Sequence, residues 1–176
     1  ACAQVISRRT LEQVAVYSDH VNPIEFARQL KLLGTWYNTA VIAPEKEGPG
    51  YATVGHLIGS GYPLVWESQK VDKTPGKIQI DTFGWGTNRT TKQFAVSRLV
   101  DSFAQPLQTI GNTVYGLVIH DQETFEELRD YISDEQGGFM NGKGSLFDDR
   151  VMALGIAVTT HYIDPPPAPY TKDTTI

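Results

Sequence analysis

The sequence predicts an α/β domain with a mixed sheet. Three observations carry this. Two short alternating stretches open the chain and read as a hairpin. A short apolar strand pattern, Thr39-Ala40-Val41-Ile42-Ala43, lies between helical patterns, as a buried parallel strand does. After it, helical and strand-like segments alternate to about residue 162. The length of 176 residues suits one domain with a substantial core. Hydrophobic residues make up 40 % and charged residues 20 %, ordinary values for a globular protein.

The hairpin arms are Ala1 to Ser7 and Gln13 to Ser18, joined by the polar link Arg8-Arg9-Thr10-Leu11-Glu12. The chain opens inside a strand and is expected to be part of something longer. Asn22-Pro23 is a helix start, with Asn as cap and Pro at the first helical position. Ile24, Phe26, Ala27, Leu30, Leu33 and Trp36 or Tyr37 follow at helical spacing, and Gly34 is expected to end the regular helix. The apolar strand at 39–43 runs into Pro44-Glu45-Lys46-Glu47-Gly48-Pro49-Gly50. A polar, Gly/Pro-rich loop at the C-terminal end of such a strand is where α/β folds place their sites.

Tyr51 to Ile58 reads as a helix, Leu64 to Glu67 as a strand, and Lys77 to Asp81 as a strand-like alternation after the turn Thr74-Pro75-Gly76. Thr90 or Thr91 is expected to cap a helix reaching about Ala104. Phe94, Val96, Leu99, Val100 and Phe103 form its apolar side. Val114 to His120 reads as a strand. Asp121 caps the next helix, with Phe125, Leu128, Tyr131 and Ile132 as its buried stripe. A Gly-rich loop from Asp134 to Ser145 leads to Asp148-Asp149 and a nearly all-apolar run, which reads as a buried helix. Residues 1–162 thus form the domain, and 163–176 a Pro-rich tail.

Several chemistries are excluded or weak. One cysteine, Cys2, rules out an internal disulfide and a cysteine-rich zinc site, and fits a reducing cytoplasm. The four histidines lack metal-ligand spacing. There is no Gly-x-Ser-x-Gly nucleophile elbow. Gly137 to Gly144 approaches a P-loop, but Gly144 stands where a magnesium-holding Ser or Thr is needed. No apolar run reaches the roughly 20 residues of a membrane helix, and the N-terminus lacks the charged-then-apolar pattern of a secretory signal.

The net charge of −5 argues against a dedicated basic DNA-binding module, but the charges are segregated. From Lys70 to Arg98 six basic residues face two acidic ones, a net of +4; from Asp121 to Asp149 nine acidic residues face two basic ones, a net of −7. Solvated faces are the default account of both runs; phosphates and cations are the functional one. Glu45 ends a buried strand, and Asp148 and Asp149 open a buried helix, whose dipole favours their ionised forms. Either aspartate alone reads as an N-cap. Together the three carboxylates suit hard divalent cations, Mg2+ or Mn2+, in a two-metal phosphodiesterase site.

Three pieces then resemble, in order, the C-terminal nuclease domain of tailed-bacteriophage terminase large subunits: Ser18-Asp19-His20-Val21-Asn22-Pro23 before Phe26-Ala27; Ala40-Val41-Ile42-Ala43-Pro44-Glu45 with Gly50 and Gly61-Tyr62-Pro63; and Asp148-Asp149-Arg150-Val151-Met152-Ala153-Leu154. Gly84-Trp85-Gly86-Thr87 with Lys92 resembles the family's stretch after its hairpin. The resemblance covers about residues 1 to 160. It implies a ribonuclease-H-like fold and a metal-dependent endonuclease that cuts concatemeric viral DNA during packaging. It implies Glu45, Asp148 and Asp149 as catalytic metal ligands, with Asp148 favoured over Asp149 as the ligand. Lys92, Arg89, Lys77 and Lys73 are the expected DNA contacts. Double-stranded DNA, the portal and the small terminase subunit are the expected partners, at the procapsid portal in the host cytoplasm, with no membrane. The family's first catalytic Asp lies on a first, central strand, which here would fall before Ala1, so that strand is expected to be missing from this chain. A catalytically inactive ribonuclease-H-like interaction module of a packaging motor is the alternative, and an integrase- or resolvase-type nuclease a further one.

Overall fold

The computed structural model describes residues 1–68, 83–133, 139–141 and 148–163. The protein is mixed α/β, with five helices and three two-stranded antiparallel sheets among the described residues. The expected strand at 77–81, Lys73 and Lys77, most of the P-loop-like stretch, and residues 164–176 lie outside them. No helix among the described residues is long and apolar enough to cross a membrane.

The opening hairpin forms as predicted. β1 (Cys2–Ile6) pairs antiparallel with β2 (Gln13–Ser18), with an irregularity between Val5 and Ile6. Asn22 caps α1 (Pro23–Trp36) by accepting from the amides of Ile24 and Glu25. Gly34 does not end this helix, which continues to Trp36. Gly34 is instead a packing position: a Cβ there would collide with the Tyr62 ring and the Ile42 side chain. The missing side chain lets α1 lie against the apolar strand.

That strand is short. Ile42 bridges Val65 in parallel, and Glu45 bridges Trp85 in parallel. α2 (Gly50–Gly59) follows the loop. A Cβ at Gly50 would overlap the Glu45 carbonyl, so the glycine lets the loop fold back on the strand end.

α3 (Arg89–Ala104) is capped by Asn88 rather than by Thr90 or Thr91. Thr91 completes a reciprocal capping box through its hydroxyl, which accepts from the Asn88 amide. Val96 and Leu99 are buried as expected, together with Ala95, whereas Phe94, Val100 and Phe103 are exposed. The expected strand from 114 to 120 is divided. β3 (Gln108–Ile110) and β4 (Thr113–Tyr115) form a small hairpin, and Val118 separately bridges Glu12 in parallel. α4 (Gln122–Asp130) is capped by Asp121 as predicted, but Phe125 is exposed and Thr124 is the buried residue. β5 (Tyr131–Ser133) pairs with β6 (Phe139–Asn141), a pairing unforeseen in the Gly-rich stretch.

α5 (Asp149–Ile163) buries residues on most of its faces, including Val151, Leu154, Gly155 and Val158. Gly155 lies against the Ala95 backbone, allowing α3 and α5 to approach closely. The core has one cluster around Leu99, Leu117, Leu154 and Val158, and another around Leu30, Ile42, Leu57 and Tyr62. Between them, Gln13 ties the elements together. It is 2 % exposed, and its Oε1 accepts from the amides of His120 and Asp121, both at 2.7 Å. Its Nε2 donates to Gln4, which donates to Thr124 at 2.9 Å. Every polar end of this buried chain thereby has a partner.

Candidate functional site

The expected ligands sit at the ends of two elements. Glu45 lies at the end of the apolar strand, held by backbone bonds of Pro44 and Lys46 to Trp85. Asp148 precedes α5 and Asp149 begins it. Glu45 and Asp149 line one cavity of about 1190 Å³, bounded by β1 on one side and residues 38–45 on the other. The Glu45 carboxylate is exposed and takes no hydrogen bond among the described residues. Asp149 lies 3.8 Å from the Ala1 ammonium at the start of β1.

Asp148 is placed differently. Its Oδ2 accepts a 2.7 Å bond from the Lys92 ammonium and lies 3.5 Å from the Tyr131 hydroxyl. Lys92 also sits 5.9 Å from the centre of the Tyr131 ring. Partial burial pulls the Lys92 ammonium down, but the bond to Asp148 and the neighbouring Tyr131 outweigh it, so its pKa is raised. Burial pushes the Tyr131 hydroxyl up, opposed by Lys92 and reinforced by Asp148. The expected contact Lys92 is thus engaged by a carboxylate, one helical turn beyond the exposed Arg89 at the start of α3.

Neither aspartate's side chain is needed to cap α5. The carboxylate of Glu127, reaching across from α4, accepts from the Arg150 amide at 3.0 Å and also bonds the Val151 amide. Burial raises the Glu127 pKa, and those amides partly offset the shift. Arg150, whose side chain is 13 % exposed, gathers Asp121 at 3.1 Å, Glu123 and Glu127. Three acidic residues of the 121–149 run are therefore spent on one arginine. Sequence reasoning missed Glu127, Arg150 and Tyr131; the sole local signal was an arginine directly after the paired aspartates.

Carboxylate oxygens are the right donors for a hard divalent cation. Their number is short: among the described residues no three or more His, Cys, Asp or Glu are grouped to hold a metal ion. Glu45 and Asp149 share a cavity, while Asp148 is neutralised by Lys92. The described residues do not by themselves complete a two-metal site. No family model, curated protein or solved structure matches the chain.

Proposed function

We infer that this chain is a ribonuclease-H-like nuclease domain of a viral genome-packaging terminase, acting on double-stranded DNA with Mg2+ or Mn2+. The observation that carries the reading is the shared cavity of Glu45 and Asp149 at the end of an apolar strand and the start of a buried helix. Glu127 supports it, because capping α5 from α4 leaves both aspartate side chains free of that role. Arg89 and Lys92 add positive charge on the first turn of α3, where a phosphate would approach. In this reading Glu45 and Asp149 hold the cation and Asp148 joins them once Lys92 turns to phosphate. The portal and the small terminase subunit would be its partners, at the procapsid in the host cytoplasm.

The catalytically inactive packaging-motor module is kept as a second reading, because Lys92 occupies Asp148. The experiment is Mn2+ titration by calorimetry together with nicking of supercoiled plasmid. The nuclease reading expects Mn2+ binding that Glu45→Ala or Asp149→Ala weakens by about tenfold or more, with a parallel loss of nicking. A chain that binds no Mn2+ is the inactive module. Undiminished nicking by Glu45→Ala would refute the site.

A further inference from the structure

Arg98, in the middle of α3, is held by rings rather than by carboxylates. It makes no ion pair among the described residues, and none of its side-chain N–H groups donates to a protein acceptor there. Its guanidinium carbon lies 5.2 Å from the centre of the Phe94 ring and 5.9 Å from that of Tyr162. Phe94 stands one turn back on the same helix, at the spacing that puts two side chains on one face. Tyr162 comes from the end of α5, which the close approach at Gly155 and Ala95 sets beside α3. The buried Ser102 fixes the arrangement. Its Oγ donates to the Arg98 carbonyl at 2.7 Å and lies 3.4 Å from the Tyr162 hydroxyl.

Neither ring belongs to the core: Phe94 is 41 % exposed and Tyr162 43 %. As a tie between α3 and α5 the stack is modest, because its members are open to water. The tie also leaves the edge of the guanidinium unused. Stacking occupies the faces of that plane, while its five N–H donors lie in the plane and stay free for an acceptor. Such an edge matches a phosphate, which it meets with two parallel bonds. An exposed ring beside it matches a base, since every base has a π face. An acidic peptide would use the arginine edge and leave both rings idle. Arg89 and Lys92 extend the positive charge toward the start of the same helix, and Asp101 is its only acidic residue.

We propose that Phe94, Arg98 and Tyr162 form a clip for an unpaired nucleotide of DNA: the edge of Arg98 takes the phosphate, and the exposed ring surface takes the base. The inference deepens the nuclease reading and rests on it for the choice of DNA. A base inside a duplex keeps both faces stacked and out of reach. The clip therefore engages single-stranded DNA, such as an overhang, a gap or a frayed end. The rings hold the guanidinium in place beforehand, so little side-chain freedom is lost when the phosphate arrives. Stacking distinguishes poorly among the four bases, so the clip has little sequence preference.

Fluorescence anisotropy on the whole chain tests this, in EDTA so that no metal ion takes part. The probe is a fluorescein-labelled oligothymidylate of about eight nucleotides, compared with an abasic strand of equal length. The intact strand should bind about fivefold or more tightly than the abasic one. Tyr162→Ala should remove that difference, and so should Phe94→Ala on the other helix, whereas Tyr162→Phe should keep it. Arg98→Gln should weaken both strands and lower the salt slope by about 0.7. Melting curves of the same variants separate folding from binding. Lowered melting temperatures with oligothymidylate affinity unchanged would make the stack only a tie between helices and overturn the proposal. Absence of binding overturns it, as does equal binding of the intact and abasic strands by the unaltered protein. Oligoglutamate that displaces the probe as well as unlabelled oligothymidylate does would assign the clip to an acidic peptide and also overturn it. Neither Mn2+ binding nor nicking enters these measurements, so failure here is separate from failure of the nuclease reading.

Discussion

Lys92→Met is the substitution that best separates a functional Asp148 from a structural one. It keeps the length of the side chain and its packing near Tyr131 but removes the cation. The ion pair is short, 2.7 Å, with the two side chains 32 % and 28 % exposed. A partly exposed pair of this kind contributes about 1 kcal/mol, so the melting temperature should fall by about 2–4 °C. The effect on a metal ion has the opposite sign. A divalent cation on Asp148 would lie about 4 Å from the ammonium, with a repulsion of about 2 kcal/mol at the dielectric of water and several-fold more inside the protein. The exposure of both groups favours the lower figure, so the variant should bind Mn2+ about 30-fold more tightly. Calorimetry reads this directly, and a salt titration of DNA binding reads the other role. If Lys92 also meets phosphate, the variant lowers the salt slope by about one unit. Mn2+ affinity unchanged or weakened in Lys92→Met would refute the reasoning, leaving the pair as a structural clamp between α3 and the start of α5.

Two further outcomes follow from buried groups. Gln13→Met removes the acceptor shared by the His120 and Asp121 amides and strands Gln4, which should cost about 2–5 kcal/mol in a urea titration; a loss below about 1 kcal/mol would mean the amides find other partners. Burial, opposed by Arg150 and reinforced by Glu127 and Asp149, pushes the Cys2 thiol up to about 12 from 9.0. At pH 8 its thiolate fraction is then about a thousandfold below that of an ordinary thiol, and iodoacetamide should modify it correspondingly slowly in the folded protein. Alkylation at the unfolded rate would show that β1 is not held as described.

What was legible in the sequence is what is determined locally. Asn22-Pro23 starts α1 because the cap and the fixed proline φ act within one turn. The apolar run after Asp149 makes α5 because its length and composition leave no alternative to burial. Asn88 shows how local chemistry can still be misread: Thr90 or Thr91 is the expected cap, and Asn88, whose reciprocal partner Thr91 stands three positions on, takes the role. Phe94, Val100 and Phe103 have helical spacing, but which face meets α5 is decided by where Gly155 lets the helices approach. The pairing of β5 with β6 likewise depends on a partner distant in sequence: Tyr131 and Ile132 are expected in the buried stripe of the helix after Asp121, but that helix ends at Asp130 and they pair with Asn141 and Met140.

The site shows the same division. Placing Glu45 at a strand end and Asp148-Asp149 at a helix start required only patterning. Knowing what their charges do required neighbours distant in sequence, since Lys92, 56 positions away, neutralises Asp148. Glu127 is the decisive case. A carboxylate on α4 caps α5 and so takes over the role that either aspartate would have filled as an isolated helix cap. Arg150 keeps Glu127 in place and offsets the acidic run that otherwise reads as free negative charge. What remains without a partner among the described residues is the Glu45 carboxylate, which shares a cavity with Asp149, itself 3.8 Å from the Ala1 ammonium.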